Sequence, residues 1–202
     1  IKSWDELICL AHQPAETDDP RHANTDGEEE EEEDDASGEA TEADVDTLVH
    51  LAAEPEVVAI GETGLDYYRL KGDLEWQRQR FRIHIEAGRR SGKPLIIHTR
   101  AARADTLRIL AEEGADTVGG VFHCFTEDWA TAEQALEMGF YVSFSGIVTF
   151  KNSYEIKQVA SRLPLDRLLV ETDAPDQVPR PHRSVRNEPA YLRFVVDALA
   201  AA

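Results

Sequence analysis

The 202-residue chain is poor in cysteine, with only Cys9 and Cys124. That excludes a disulfide framework as the source of stability and leans toward a reducing compartment. It has no uninterrupted apolar run approaching the roughly 18–20 residues of a membrane span. Its first residues, IKSWDELICL, lack the basic, apolar, small-residue order of a signal peptide. The sequence therefore predicts a soluble, cytoplasmic protein with no membrane partner. Positive charge is scarce as well, at 21 Lys and Arg against 40 Asp and Glu, a formal net of −19. A uniformly acidic surface would repel nucleic acid. Here, however, residues 16–46 hold sixteen acids against the single Arg21 and carry −15 of that total. The stretch DGEEEEEEDDASGEATEAD has no apolar periodicity, and its like charges repel. It reads as a solvated, disordered insertion, either a linker or, functionally, an interaction tail or internal mimic of DNA. The hydrophobic content of 42% is enough for a core, and residues 1–202 are read as one domain.

Beyond residue 54 the pattern alternates. The apolar runs VVAIGE (57–62), PLIIH (94–98), VGGVFH (118–123), FYVSFS (140–145) and LLVET (168–172) predict buried parallel strands. ICLA (8–11) is a candidate sixth. Helices are expected over 74–90, 102–113, 128–138, 153–162 after a Ser153 cap, and from about 188 to 200 after an Asn187 cap. Strand and helix in turn imply an α/β fold with a parallel sheet.

Four ligand-type side chains close four of these strands: Glu62, His98, His123 and Asp173, spaced by 36, 25 and 50 residues. Those intervals approximate one, one and two strand-plus-helix units, so the groups should converge at the C-terminal rim of a (β/α)₈ barrel, where catalytic residues collect. Each alone has a structural explanation as a satisfied polar group. Together they form a mixed nitrogen and oxygen set suited to Zn²⁺, Mn²⁺ or, through the carboxylates, Mg²⁺. His50, His84 and His22 are expected to be structural or exposed. Cys124, next to His123, is expected by strand alternation to point away from it as a small buried hydrophobe.

The blocks GETGLDYYR, PLIIHTRAA, GVFHCFT, LLVETDAP and PHRSVRNEPAYL, in that order, resemble those of the TatD-type metal-dependent deoxyribonucleases, TIM barrels of the amidohydrolase superfamily. The likeness covers about residues 48–200. It implies hydrolysis of DNA phosphodiesters, typically from the 3′ end of single strands, with divalent metals. Under the resemblance Glu62 bridges two metals, His98 and His123 complete one, and Asp173 binds the other and helps activate water, so Glu62 and Asp173 are the catalytic pair. Arg69, His182, Arg183 and His12 are the positions expected to meet substrate, and Tyr67 or Tyr68 could stack on a base. Related activities on this barrel include aminoacyl-tRNA deacylation and lactone hydrolysis, and an impaired, partner-binding member is the alternative from another class.

The chain departs from the family in lacking any His-x-His pair, and ICLAHQP interrupts the expected His-Pro with Gln13. Asp176-Gln177 replaces an aromatic-aliphatic pair. The barrel is accordingly expected to be incomplete at its N-terminus, as in a truncated chain, with open edges that a second copy could cover. One metal should bind well and a second weakly.

Overall fold

The computed structural model describes residues 44–182 and 185–202. The expected ICLA strand and most of the acidic run lie outside them. The run's last residues do not extend the solvated stretch. Asp44 caps helix α1 (Val45–Ala52) by accepting the Thr47 backbone N–H at 2.9 Å, and Asp46 sits in its first turn. Carboxylates suit a helix N-terminus, where unpaired N–H groups and the dipole favour negative charge. His50 lies in the last turn of this helix.

Five strands follow, β1 (Ile60–Asp66), β2 (Leu95–Arg100), β3 (Gly120–Phe122), β4 (Tyr141–Phe144) and β5 (Leu168–Val170). They are all parallel and ordered in space as they are in the chain. Helices α2 (Glu75–Ser91), α3 (Arg103–Glu112), α4 (Trp129–Glu137), α5 (Tyr154–Arg162) and α6 (Leu192–Ala200) complete the fold. Sequential order without reversal is the arrangement of a TIM-type βα barrel rather than of a doubly wound sheet. Among the described residues β1 and β5 each have one strand neighbour.

The core lies under the helices. Phe81 and Ile85, four apart on α2, are buried together with Leu95 and Ile97 of β2, Phe122 and Phe144. Each such side chain contributes about 1.5–3 kcal/mol by leaving water. β2 alternates, with Leu95 and Ile97 fully buried while Ile96 and His98 are half-buried. The expected loss of alternation is thus not seen there, because the described residues cover one face of the sheet fully and the other in part. That partly covered face carries the polar side chains.

Two local features differ from the sequence expectation. β1 starts three residues later than expected and runs four further, so Glu62 sits inside the strand rather than at its end. Asn187 does not cap a helix. Its buried amide donates to the Thr172 and Asp176 carbonyls at 2.5 and 2.6 Å, stapling the C-terminal segment to the loop after β5.

Candidate metal centre

Strand pairing brings the first ligands together. Gly64 pairs with His98, and the residues two before and two after it, Glu62 and Asp66, share its face of β1. A side chain on Gly64 would sit 1.9 Å from the His98 carbonyl oxygen, and its φ is +147°. Only glycine permits this approach. The His98 ring therefore lies between two carboxylates, with Nδ1 3.4 Å from Glu62 Oε1 and Nε2 3.4 Å from Asp66 Oδ2. Between Ile60 and Thr63 the β1–β2 register slips by one residue, an irregularity that takes in Gly61 and Glu62. Bulges re-aim side chains in this way.

His123 follows β3 and extends its ladder by donating its N–H to the Ile97 carbonyl at 3.0 Å. Its ring lies 5.9 Å from that of His98. Nε2 stands 2.7 Å from Glu62 Oε2, yet this buried nitrogen makes no hydrogen bond of acceptable geometry with a described residue. Nδ1 faces Glu171 Oε1 at 3.8 Å. One ligand atom each from Glu62, His98 and His123 lie within 4.8 Å of one another.

These residues fit a divalent cation on three grounds. The donor set suits first-row metals. A buried nitrogen close to an oxygen but off the hydrogen-bond line is what two lone pairs aimed at a common third point look like. Negative charge is also in excess, since among the described residues the ion-pair partners of Glu62 and Glu171 are histidines and not Arg or Lys. The pKa directions reflect the crowding. Contact with His123 holds the Glu62 carboxyl below its usual value, with burial opposing. Burial works against a charged His123 ring, but Glu62, Glu171 and Asp173 outweigh it and raise its pKa. Burial pushes Glu171 and Asp173 up, partly offset by His123.

Asp173 lies outside the three-residue cluster. It occupies the same rim with φ +51°, and its Oδ2 is 3.6 Å from Cys124 Sγ and accepts from the Gln177 amide. Cys124 is not the inward hydrophobe expected from alternation. β3 ends at Phe122 and Cys124 takes φ +47°, which breaks the period and turns its thiol toward Ser145, Asp173 and Gln177. Burial pushes that thiol up to about 12, which disfavours the thiolate form a nucleophile needs. Gln177, at the position where the family pattern is broken, fills this corner, and its backbone passes so near Gly146 that a Cβ there would lie 1.8 Å from the Gln177 carbonyl oxygen.

The other expected contacts are spread out. Arg69 is exposed, with its guanidinium 5.4 Å from the Tyr68 ring centre, and Arg100 stacks on the same ring at 3.8 Å. His182 is stacked on Tyr191 at 4.6 Å and packed against Phe194. Arg183 and His12 fall outside the described residues. An open depression of about 550 Å³ is lined by residues that follow β1, β2 and β3, including Tyr67, Arg103 and Glu127. Asp66, Glu171, Gln77, Arg100 and Gln177 were not singled out as site residues from the sequence. A two-residue period carried past Glu62 would have reached Asp66, but the apolar run that marked β1 ends at Glu62; Glu171 stands two residues before Asp173.

Sequential parallel strands whose ligand-type side chains meet on or just beyond β1, β2 and β3 define a TIM-barrel-type α/β chain with a candidate metal centre. The chain belongs to the TatD-related DNase family, whose model matches residues 6–202. It is 55% identical over 157 residues to the "uncharacterized metal-dependent hydrolase YcfH" of Escherichia coli K12, covering 78% of this chain and 59% of that protein. It is 37% identical over 159 residues to a Pantoea vagans protein named "3′-5′ ssDNA/RNA exonuclease TatD", covering 76% and 61%. The crystal structure of YjjV, a TatD homologue from Escherichia coli K12, superposes with a TM-score of 0.69 at 28% identity, covering 78% of this chain and 61% of that one. The chain thus spans about three fifths of the length of the curated relatives it matches.

Proposed function

We propose that this protein is a metal-dependent hydrolase of nucleic-acid phosphodiesters, acting on single strands from the 3′ end. The observation that supports the reading is the meeting of one ligand atom each from Glu62, His98 and His123 within 4.8 Å. Family membership and the name of the Pantoea relative supply the substrate class.

A divalent ion held by these residues would lower the pKa of water and neutralise charge on a phosphoryl oxygen. Hydrolysis forms a bond from the water oxygen to phosphorus and breaks the bond to the leaving sugar oxygen, which takes up one proton. Asp173 is suited to move that proton, because burial raises its carboxyl above its ordinary value and it follows β5 at the strand end. Cys124, Ser145 and Gln177 fix its position. Arg69 and Arg100, with Tyr68 between them, offer cations and a π-face to a strand. With three ligands in one cluster and Asp173 apart, the chain holds one ion tightly and a second weakly. The ion is Mg²⁺, Mn²⁺ or Zn²⁺.

The test is cleavage of a 5′-labelled single-stranded oligonucleotide in Mg²⁺ or Mn²⁺. Shortening from the 3′ end that is lost in both Glu62→Gln and Asp173→Asn supports the proposal. No cleavage by the parent with any of the three metals would point instead to a binding role.

A further inference from the structure

The depression of about 550 Å³ begins where the strands that carry the ligands stop. Tyr67 directly follows β1, Ala101 and Ala102 follow β2, Arg103 and Ala104 open α3, and Glu127 stands four residues beyond His123. Its volume suits one nucleotide, since small-molecule sites run about 300–1,000 Å³.

Most of the wall is either apolar or already committed. The three alanines present methyl groups. The Tyr67 ring is fixed at its tip, where Oη donates to Asp105 Oδ2 at 2.8 Å and accepts from Arg78 Nη1 at 3.1 Å. The Arg103 guanidinium is paired with Asp128. Glu127 differs. Its half-buried carboxylate makes no hydrogen bond or ion pair with a described residue, and burial raises its pKa, with Arg103 opposing. Asp105 and Glu127 outnumber Arg103 on this wall, so the depression is a poor place for a phosphate.

We infer that the depression is a base subsite in which Glu127 reads the donor edge of an unpaired nucleobase, with guanine preferred. An unpaired base exposes its Watson–Crick edge and offers two flat faces for stacking. The alanine methyls and the Tyr67 ring match those faces, and the carboxylate demands donors at the edge. Guanine presents two side by side, N1–H and N2–H, which two carboxylate oxygens accept together. Cytosine and adenine present one amino group beside a ring nitrogen that repels an oxygen. Thymine has a single N3–H between two carbonyls. The order expected is guanine, then cytosine and adenine, then thymine.

The inference rests on the nucleic-acid reading above and adds a base preference to it. Its test is calorimetry of dGMP, dCMP, dAMP and dTMP binding to the full chain in Mg²⁺, repeated on Glu127→Gln and on Ala104→Phe, whose ring fills the depression. The parent should bind dGMP about 5–150-fold more tightly than dTMP. Glu127→Gln puts a donor where guanine needs an acceptor, so the preference should vanish, whereas Ala104→Phe should weaken all four nucleotides. A variant that is merely less stable lowers the four affinities together and leaves their ratio intact. No dGMP preference in the parent, no binding of any nucleotide, a preference that survives Glu127→Gln, or unchanged binding by Ala104→Phe would each overturn the inference. Shortening of the labelled oligonucleotide without a base preference would overturn it and keep the nuclease reading. A dGMP preference that depends on Glu127, without any cleavage, would keep the base subsite and reject the nuclease reading.

Discussion

Glu62 Oε2 and His123 Nε2 stand 2.7 Å apart, a close ion-pair contact that lies off the hydrogen-bond line. Holding a buried nitrogen off the hydrogen-bond line carries a free-energy cost, and this one sits where strand pairing has also delivered His98. A cation satisfying all three at once removes that cost, and the proposed chemistry is built on that relationship.

The buried Gln77 amide accepts the Asp66 N–H and donates to the Asp66 carbonyl, each at 2.9 Å, which makes it a first point of leverage. Gln77→Leu leaves the Asp66 N–H and C=O without their partner, and urea denaturation should show a loss of about 1–3 kcal/mol. Zn²⁺ affinity measured on the still-folded variant should also fall.

At Gly146, Gly146→Ala places a methyl 1.8 Å from the Gln177 carbonyl oxygen. The segment must move, taking the Gln177 side chain from Asp173, and overpacking of this kind costs about 1–3 kcal/mol. Oligonucleotide cleavage should drop while Zn²⁺ affinity stays near that of the parent, because Gln177 touches none of Glu62, His98 or His123.

The Cys124 thiol offers a test by chemistry. With its pKa raised to about 12, chiefly by burial, it holds almost no thiolate at neutral pH. Peptide mapping after iodoacetamide at pH 7.5 in EDTA should find Cys124 unmodified in the folded protein and alkylated in urea. Ready labelling of the folded protein would place the thiol outside the corner described.

Binding of a single-stranded oligonucleotide to the Glu62→Gln variant should weaken steeply with salt if exposed guanidinium groups meet its phosphates. Arg69→Ala should flatten the log–log slope by about 0.7, one phosphate contact's worth. An unchanged slope would remove Arg69 from the substrate path.

Much of this architecture was legible in the sequence because buried runs and helical spacing announce elements of their own. Five strands and five helices lie close to where apolar runs and spacing put them, and Glu62, His98 and His123 stand together, although β1 and β2 run past Glu62 and His98 instead of ending on them. What was hidden depends on register. A single extra residue in β1 decides where Glu62 points, and no periodicity announces a bulge. Asp66 became visible only once β1 was seen to run past Glu62. Gln77 grips Asp66 from eleven residues away on a different element, a contact that only tertiary packing creates. Cys124 was misplaced because alternation was carried past the last strand residue into a turn with positive φ. Helix α1 went unread because its cap, Asp44, looked like one more acid in a charged run.

The most direct measurement is anomalous diffraction from a crystal grown with Zn²⁺. The account predicts one strong peak about 2.0–2.2 Å from a Glu62 carboxylate oxygen, His98 Nδ1 and His123 Nε2, with weaker density or none beside Asp173. A principal peak elsewhere, or one bound by Asp173 without the two histidines, would contradict it.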